Sequence, residues 1–218
     1  MNLAQKKQNA RTVLQRVKEH YPAAKCTLNH RDPFELLVAT VLSAQCTDER
    51  VNRVTPRLFK LFPTAQKMAA APIEEIERSI RSTGFYHQKA KSLRQSSIFI
   101  RDKFDGKVPS EMDQLIQLPG IGRKTANVIL GTAFRKEAGV VVDTHVKRLS
   151  RRLGLTAEQT PEKIETDLIK ILPRDDWTIY SHLIIRHGRE ICNARKPACA
   201  DCFLKDICPS ADQKDRRK

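Results

Sequence analysis

Apolar side chains recur at helical spacing along nearly the whole chain, and no stretch alternates apolar and polar residues long enough for a useful strand. That pattern restricts the fold class to all-α. Start and stop residues mark the helices. Asp32, Pro33 and Glu35 supply a capping acid, a proline at the first helical position and an acid three residues past the cap. Phe34 to Leu42 is apolar nearly all round, which predicts a central, buried helix. Thr47 can cap a helix carrying Val51, Val54 and Leu58, with a kink or boundary expected at Pro56. Pro72 opens a helix with Ile73, Ile76 and Ile80 on one face, ended by Gly84. A basic helix is expected over His87 to Lys103, closed by Gly106, and Ser110 with Asp113 forms the next cap. After Leu118-Pro119-Gly120-Ile121-Gly122 a helix restarts with Ala126, Ile129 and Leu130. Asp143 follows Val140, Val141 and Val142 and can cap a helix holding Val146, Leu149 and Leu153. Thr160-Pro161 opens another, and a last helix carries Trp177, Leu183 and Ile184.

The chain has 218 residues, enough for one large domain or two small ones. Forty Lys and Arg stand against 25 Asp and Glu, a formal charge of +15. Such a balance says nothing about fold and points to nucleic acid or an anionic membrane surface as partner. The longest apolar stretch, around Phe34 to Leu42, is far short of the roughly 20 residues that a spanning helix needs. Met1 to Glu19 is polar and basic and has no apolar h-region, so it does not read as a secretory signal; Val13 and Val17 fit a surface helix. A cytosolic location is expected, where thiols stay reduced, so six cysteines suggest metal binding or chemistry before disulfides.

Four of those cysteines fall together as Cys192-x6-Cys199-x2-Cys202-x5-Cys208, in a stretch that Pro197 and Pro209 keep from forming one helix. Four soft ligands this close can converge on a tetrahedral zinc or on one iron–sulfur cluster, and the spacing leaves both open. Arg195, Lys196 and Lys205 lie among them and can offset thiolate charge or contact phosphate. Cys26 and Cys46 lie far away in sequence and read as buried thiols.

Leu118 to Lys124 joins two helical patterns through two glycines, which leave amides uncovered where the following helix begins. Free N–H donors and the positive helix end there suit a phosphate. The Walker spacing is absent, so a helix–hairpin–helix clamp is the better reading. Lys124 is expected on the first turn, where the helix end is already positive and a lysine is unfavourable for folding alone. It can serve as a nucleophile that forms a Schiff base with a sugar carbon, or as a cation for phosphate. Asp143 can cap its helix and also supply a carboxylate at the edge of an apolar wall.

Leu118-Pro119-Gly120-Ile121-Gly122-Arg123-Lys124-Thr125-Ala126-Asn127, then Val142-Asp143-Thr144-His145, then the cysteine spacing, together resemble the endonuclease III family of helix–hairpin–helix DNA glycosylases. Phe34-Glu35-Leu36-Leu37 and Leu42-Ser43-Ala44-Gln45 also look like that family, so the similarity runs from about Asp32 to Cys208. The resemblance implies two α-helical domains flanking a DNA-binding cleft. Residues 26–136 would form a six-helix barrel domain with the hairpin, and residues 1–25 with 137–218 an iron–sulfur domain. It implies a bifunctional glycosylase and AP lyase of base excision repair. Such an enzyme removes oxidised pyrimidines from duplex DNA and cleaves 3′ of the abasic site by β-elimination through a lysine Schiff base. Lys124 would be the nucleophile, Asp143 the catalytic carboxylate, and Cys192, Cys199, Cys202 and Cys208 the ligands of one 4Fe-4S cluster. Gln45 matches a residue that fills the gap left by an extruded base, and Phe85 stands where members often carry a leucine wedge. Leu118, Gly120, Gly122, Arg123, Thr125 and His145 complete the expected DNA contacts. The implied partner is double-stranded DNA with a damaged pyrimidine or abasic site, bound by a monomer in the cytoplasm, at the nucleoid if the source is bacterial. The alternatives are a related glycosylase for pyrimidine dimers or mismatched bases, and a non-catalytic iron–sulfur DNA-binding protein.

Overall fold

The computed structural model describes residues 2–211, which are helical with no strand among them. In chain order the helices are α1 (Leu3–His20), α2 (Pro33–Leu42), α3 (Asp48–Leu61), α4 (Ala65–Ala70), α5 (Ile73–Ile80), α6 (Tyr86–Lys103), α7 (Met112–Leu115), α8 (Arg123–Ala133), α9 (Thr144–Arg152), α10 (Pro161–Ile171) and α11 (Trp177–Glu190). The chain divides into a continuous unit, Cys26–Ala138, and a split unit drawn from Met1–Lys25 and Gly139–Lys218. No helix among the described residues is long and apolar enough to cross a membrane.

The continuous unit is built round α2. Leu36, Leu37, Val38, Ala39 and Leu42 are all buried, as a helix apolar on every side must be, and α3, α6 and α8 pack against it. Each fully buried Leu or Ile here contributes roughly 1.5–3 kcal/mol. Asp32 caps α2 by accepting from the Glu35 main-chain N–H at 2.9 Å. The Glu35 carboxylate does not complete a reciprocal box with Asp32. It is buried and accepts from the Arg31 main-chain N–H and Nε, both at 2.8 Å.

Two local expectations are corrected. The helix α3 runs through Pro56 without a boundary. Its buried stripe of Val51, Thr55, Leu58 and Phe59 outweighs the one main-chain bond that proline removes. The N-cap of α7 is Glu111, not Ser110; the Ser110 carbonyl and hydroxyl instead accept from Lys136 Nζ at 2.9 and 3.0 Å. The six-residue α4 carries no sequence expectation, because it is too short to show a period.

In the split unit, α1 buries Ala10, Val13, Leu14 and Val17 and packs against α10 and α11. A capping box between Asn2 and Gln5 starts α1. The valines at 140–142 form no strand; Val140 and Val142 enter the unit's core, and the Val141 N–H donates to Ser181 Oγ at 3.1 Å. This apolar segment delivers the chain to Asp143 at the head of α9.

Candidate active site and thiol centre

The hairpin between α7 and α8 is anchored from below and open above. Leu118 and Ile121 are buried in the core of the continuous unit, and the Ile121 N–H closes the turn onto Leu118 O at 3.0 Å. Leu118 is 2% exposed and its N–H donates to Leu115 O at 3.1 Å, so it supports the hairpin from within the core. Ser96 Oγ donates to Pro119 O at 2.6 Å. Gly120 lies at φ +82°, and a Cβ there would meet the Ser92 Cβ and Oγ at 2.8 Å. Glycine is therefore required twice over, by backbone angle and by the approach of the hairpin to α6. Gly122 has open space around its missing Cβ and is the N-cap of α8, with no side chain capping the helix. The first main-chain donor bonded within this helix is the Ala126 N–H, to Gly122 O at 2.9 Å. The amides of the turn before it face outward, as at every helix start. Gly120, Gly122, Arg123 and Lys124 are exposed and Thr125 is half-buried. Lys124 thus carries its amine on the same turn that offers N–H donors to an anion.

Gln45 and Phe85 lie in two other loops of the same unit and share an uncommon backbone. Their φ angles are +52° and +48°, in the left-handed region that non-glycine residues rarely adopt. Gln45 is exposed, and Phe85 is 67% exposed, an unusual display for a large aromatic ring. Sequence reasoning missed Lys89. It is 5% exposed, and its Nζ donates to Leu42 O and Thr83 O, both at 2.8 Å.

In the split unit Asp143 is half-buried and accepts from the Val146 N–H at 2.8 Å, so it caps α9. His145, two residues on, lies against α11 where Gly188 leaves room; a Cβ on Gly188 would fall 2.7 Å from His145 Nδ1. Arg148 Nη2 approaches His145 Nδ1 at 3.1 Å and donates to Gly188 O and Cys192 O at 3.0 Å. Burial holds the His145 pKa below the usual histidine range; Asp143 opposes the shift, and Arg148 and Arg189 add to it.

Cys192, Cys199, Cys202 and Cys208 line one pocket of about 250 Å³, floored by Leu149, Leu153 and Leu204. Cys26 and Cys46, by contrast, pack half-buried at the core of the continuous unit. Arg152 holds the pocket's rim. Its Nη1 donates to Cys192 Sγ at 3.2 Å and to Asn193 O at 2.9 Å, and its Nη2 to Ala194 O at 2.9 Å. Burial pushes the Cys202 and Cys208 thiols up, and the neighbouring sulfurs add to the shift. Among the described residues no group of three or more His, Cys, Asp or Glu is gathered as for a single metal ion. Four thiolates on one zinc would each lie about 2.3 Å from a common point. Four soft donors round one pocket suit a metal or an iron–sulfur group. The structural roles of Arg148 and Arg152 were not read from sequence, where they look like part of one basic run.

Residues 38–174 match the HhH-GPD superfamily base excision DNA repair protein model. The chain is 54% identical to Endonuclease III of Synechocystis sp. over 209 residues, 96% of this chain and 95% of that protein. It is 36% identical to Endonuclease III of Escherichia coli K12 over 93% of this chain and 96% of that protein. A solved non-covalent Endonuclease III–DNA complex superposes with a TM-score of 0.91 at 44% identity, covering 97% of this chain and 99% of that one. A trapped Endonuclease III–DNA covalent intermediate also gives 0.91 at 44% identity, covering 96% and 99%.

Proposed function

We propose, on the premise that this chain belongs to the endonuclease III family of the HhH-GPD superfamily, that Lys124 is its nucleophile and Asp143 its catalytic carboxylate. The protein is a bifunctional DNA glycosylase and AP lyase of base excision repair that acts on duplex DNA. Oxidised pyrimidines are the proposed lesions. One observation carries the assignment: an exposed lysine sits on the first turn of α8, directly behind a glycine hairpin whose amides are uncapped.

A base stacked in a duplex is out of reach, so the nucleotide turns outward at a cost of a few kcal/mol. Gln45 fills the vacated space and Phe85 wedges the neighbouring step. Main-chain amides at Gly120, Gly122, Arg123 and Thr125 grip the backbone without reading sequence, Leu118 supports them from below, and His145 adds a contact from the split unit. The formal charge of +15 supplies salt-dependent affinity for any duplex. The Lys124 amine attacks C1′, and the base leaves with the electrons of the glycosidic bond. Asp143 stabilises the positive charge that develops on the sugar. Ring opening gives a Schiff base between Lys124 and C1′. That iminium acidifies the C2′ proton; its removal breaks the C3′–O bond, and the 5′-phosphorylated strand departs. Hydrolysis of the imine returns Lys124.

The four-thiol pocket fits one 4Fe-4S cluster held by Cys192, Cys199, Cys202 and Cys208, a reading supported by the soft donor set. Bound there, the cluster would tie the segment after α11 into a fixed loop, and no step of the reaction passes through it. In this reading residues 26–136 form the barrel domain with the hairpin, and residues 1–25 with 137–218 the iron–sulfur domain. The enzyme works as a monomer in the cytoplasm, at the nucleoid in a bacterial cell. Lys124→Ala should abolish strand cleavage at an abasic site and leave duplex binding largely intact. Cleavage at the wild-type rate would overturn the assignment.

A further inference from the structure

The Gln45 and Phe85 loops meet at one buried ammonium. Leu42 is the last residue of α2, three before Gln45, and Thr83 ends the short turn Arg81–Thr83, two before Phe85. Carbonyls at helix ends lack partners within the helix and carry the negative end of its dipole. Lys89 Nζ donates to both at 2.8 Å and so closes two helix ends with one cation. The Lys89 main-chain N–H also donates to Phe85 O at 3.1 Å. Lys89 thus bonds the chain at Phe85 through the first turn of α6 and at Thr83 through its ammonium. Cys46, next to Gln45, lies close enough that its sulfur, when ionised, favours the ammonium, while burial works against it. A lysine this buried is costly to fold around and touches solvent too little to meet a phosphate. Its placement makes sense if the loops must keep a fixed relation.

We propose that Lys89 is a positioning residue that couples the Gln45 loop to the Phe85 loop, so that gap filler and wedge enter the duplex as one element. The proposal rests on the reading above that Gln45 and Phe85 insert into DNA. A rigid pair inserts or fails to insert together, whereas two independent loops each lose their own share.

The test is a double-variant cycle on Gln45→Ala and Phe85→Ala, read as single-turnover base release from a duplex with an oxidised pyrimidine. In the wild-type background the double variant should depart from the product of the single losses by at least about threefold. In the Lys89→Met background, which keeps the unbranched stem and removes the donors, the losses should multiply. Multiplicative losses in the wild-type background overturn the proposal, and that arm is decisive even where Lys89→Met does not fold. If neither single variant slows base release, the insertion reading itself fails, a separate outcome. A second readout separates positioning from general damage. Lys89→Met should retain strand cleavage on single-stranded abasic DNA, which needs no insertion, while losing base release from the duplex. Equal loss on both substrates would overturn the coupling role.

Discussion

Asp143 has two tasks that substitution can separate. Its carboxylate accepts the Val146 N–H at 2.8 Å as the cap of α9, and the same oxygen pair is assigned to the sugar cation. Asparagine keeps an acceptor and an extended main chain suits it equally, so Asp143→Asn forfeits only the attraction between charge and helix end, roughly 0.5 kcal/mol. Asp143→Ala forfeits the cap bond as well, for a total of roughly 1.5 kcal/mol. For a chain of this size each kcal/mol moves the midpoint by about 3 °C, so the Ala variant should melt about 4–5 °C low and the Asn variant about 1–2 °C low. Base release tells a different story. Both variants lose the negative charge, and both should slow single-turnover release by about a hundredfold, the scale of removing one electrostatic partner of a transition state. Thermal melts followed by helical circular dichroism, alongside single-turnover release at saturating enzyme, measure the two effects in one set of proteins. Wild-type release in Asp143→Asn would refute the catalytic role. An Ala variant as stable as the Asn variant would refute the capping role.

The other expectations concern the hairpin, the thiols and pH. Gly122→Asp should cap α8 and leave stability unchanged or higher, yet weaken duplex binding by placing a carboxylate where a phosphate sits; Gly120→Ala should destabilise by about 1–3 kcal/mol, from the φ of +82° and the Ser92 contact at 2.8 Å. Denaturant titration and fluorescence anisotropy at fixed salt check both. Cys202→Ala should lose the brown visible absorbance of iron–sulfur protein and lower the melting point of the split unit; a colourless wild-type protein carrying zinc would count against the cluster. Burial lowers the His182 pKa in the fold, so the unfolded chain binds more protons as pH falls. The resulting stability is fully present above the ordinary histidine value of about 6.5 and lost as pH drops through the lower folded value; His182→Gln should flatten that slope in denaturant titrations.

What the sequence made legible was local chemistry. Asp32 with Pro33, the hairpin glycines, Asp143 after its valines and the four cysteines each signal through neighbours in the chain, and the structure places each as an element start, a turn or a shared pocket. Lys89 was illegible for the opposite reason. It sits in a run of basic residues that reads as a solvated helix face, and its partner carbonyl at Leu42 lies 47 residues away. Arg148 and Arg152 were hidden likewise, their bonds reaching 40 to 44 residues along the chain. Pro56 marks no helix boundary, because the cost of one proline is fixed while the burial that repays it depends on packing. Gln45 and Phe85 were named through family resemblance, and only the structure shows the left-handed backbones that present them.

The central claim is that Lys124 forms the covalent bond to the sugar. Borohydride reduction during turnover on abasic DNA, followed by proteolysis and mass spectrometry of the adduct, tests it most directly. The account expects the deoxyribose remnant on Lys124, in the peptide that continues into α8. A remnant on another lysine, or on the amino terminus, would contradict it.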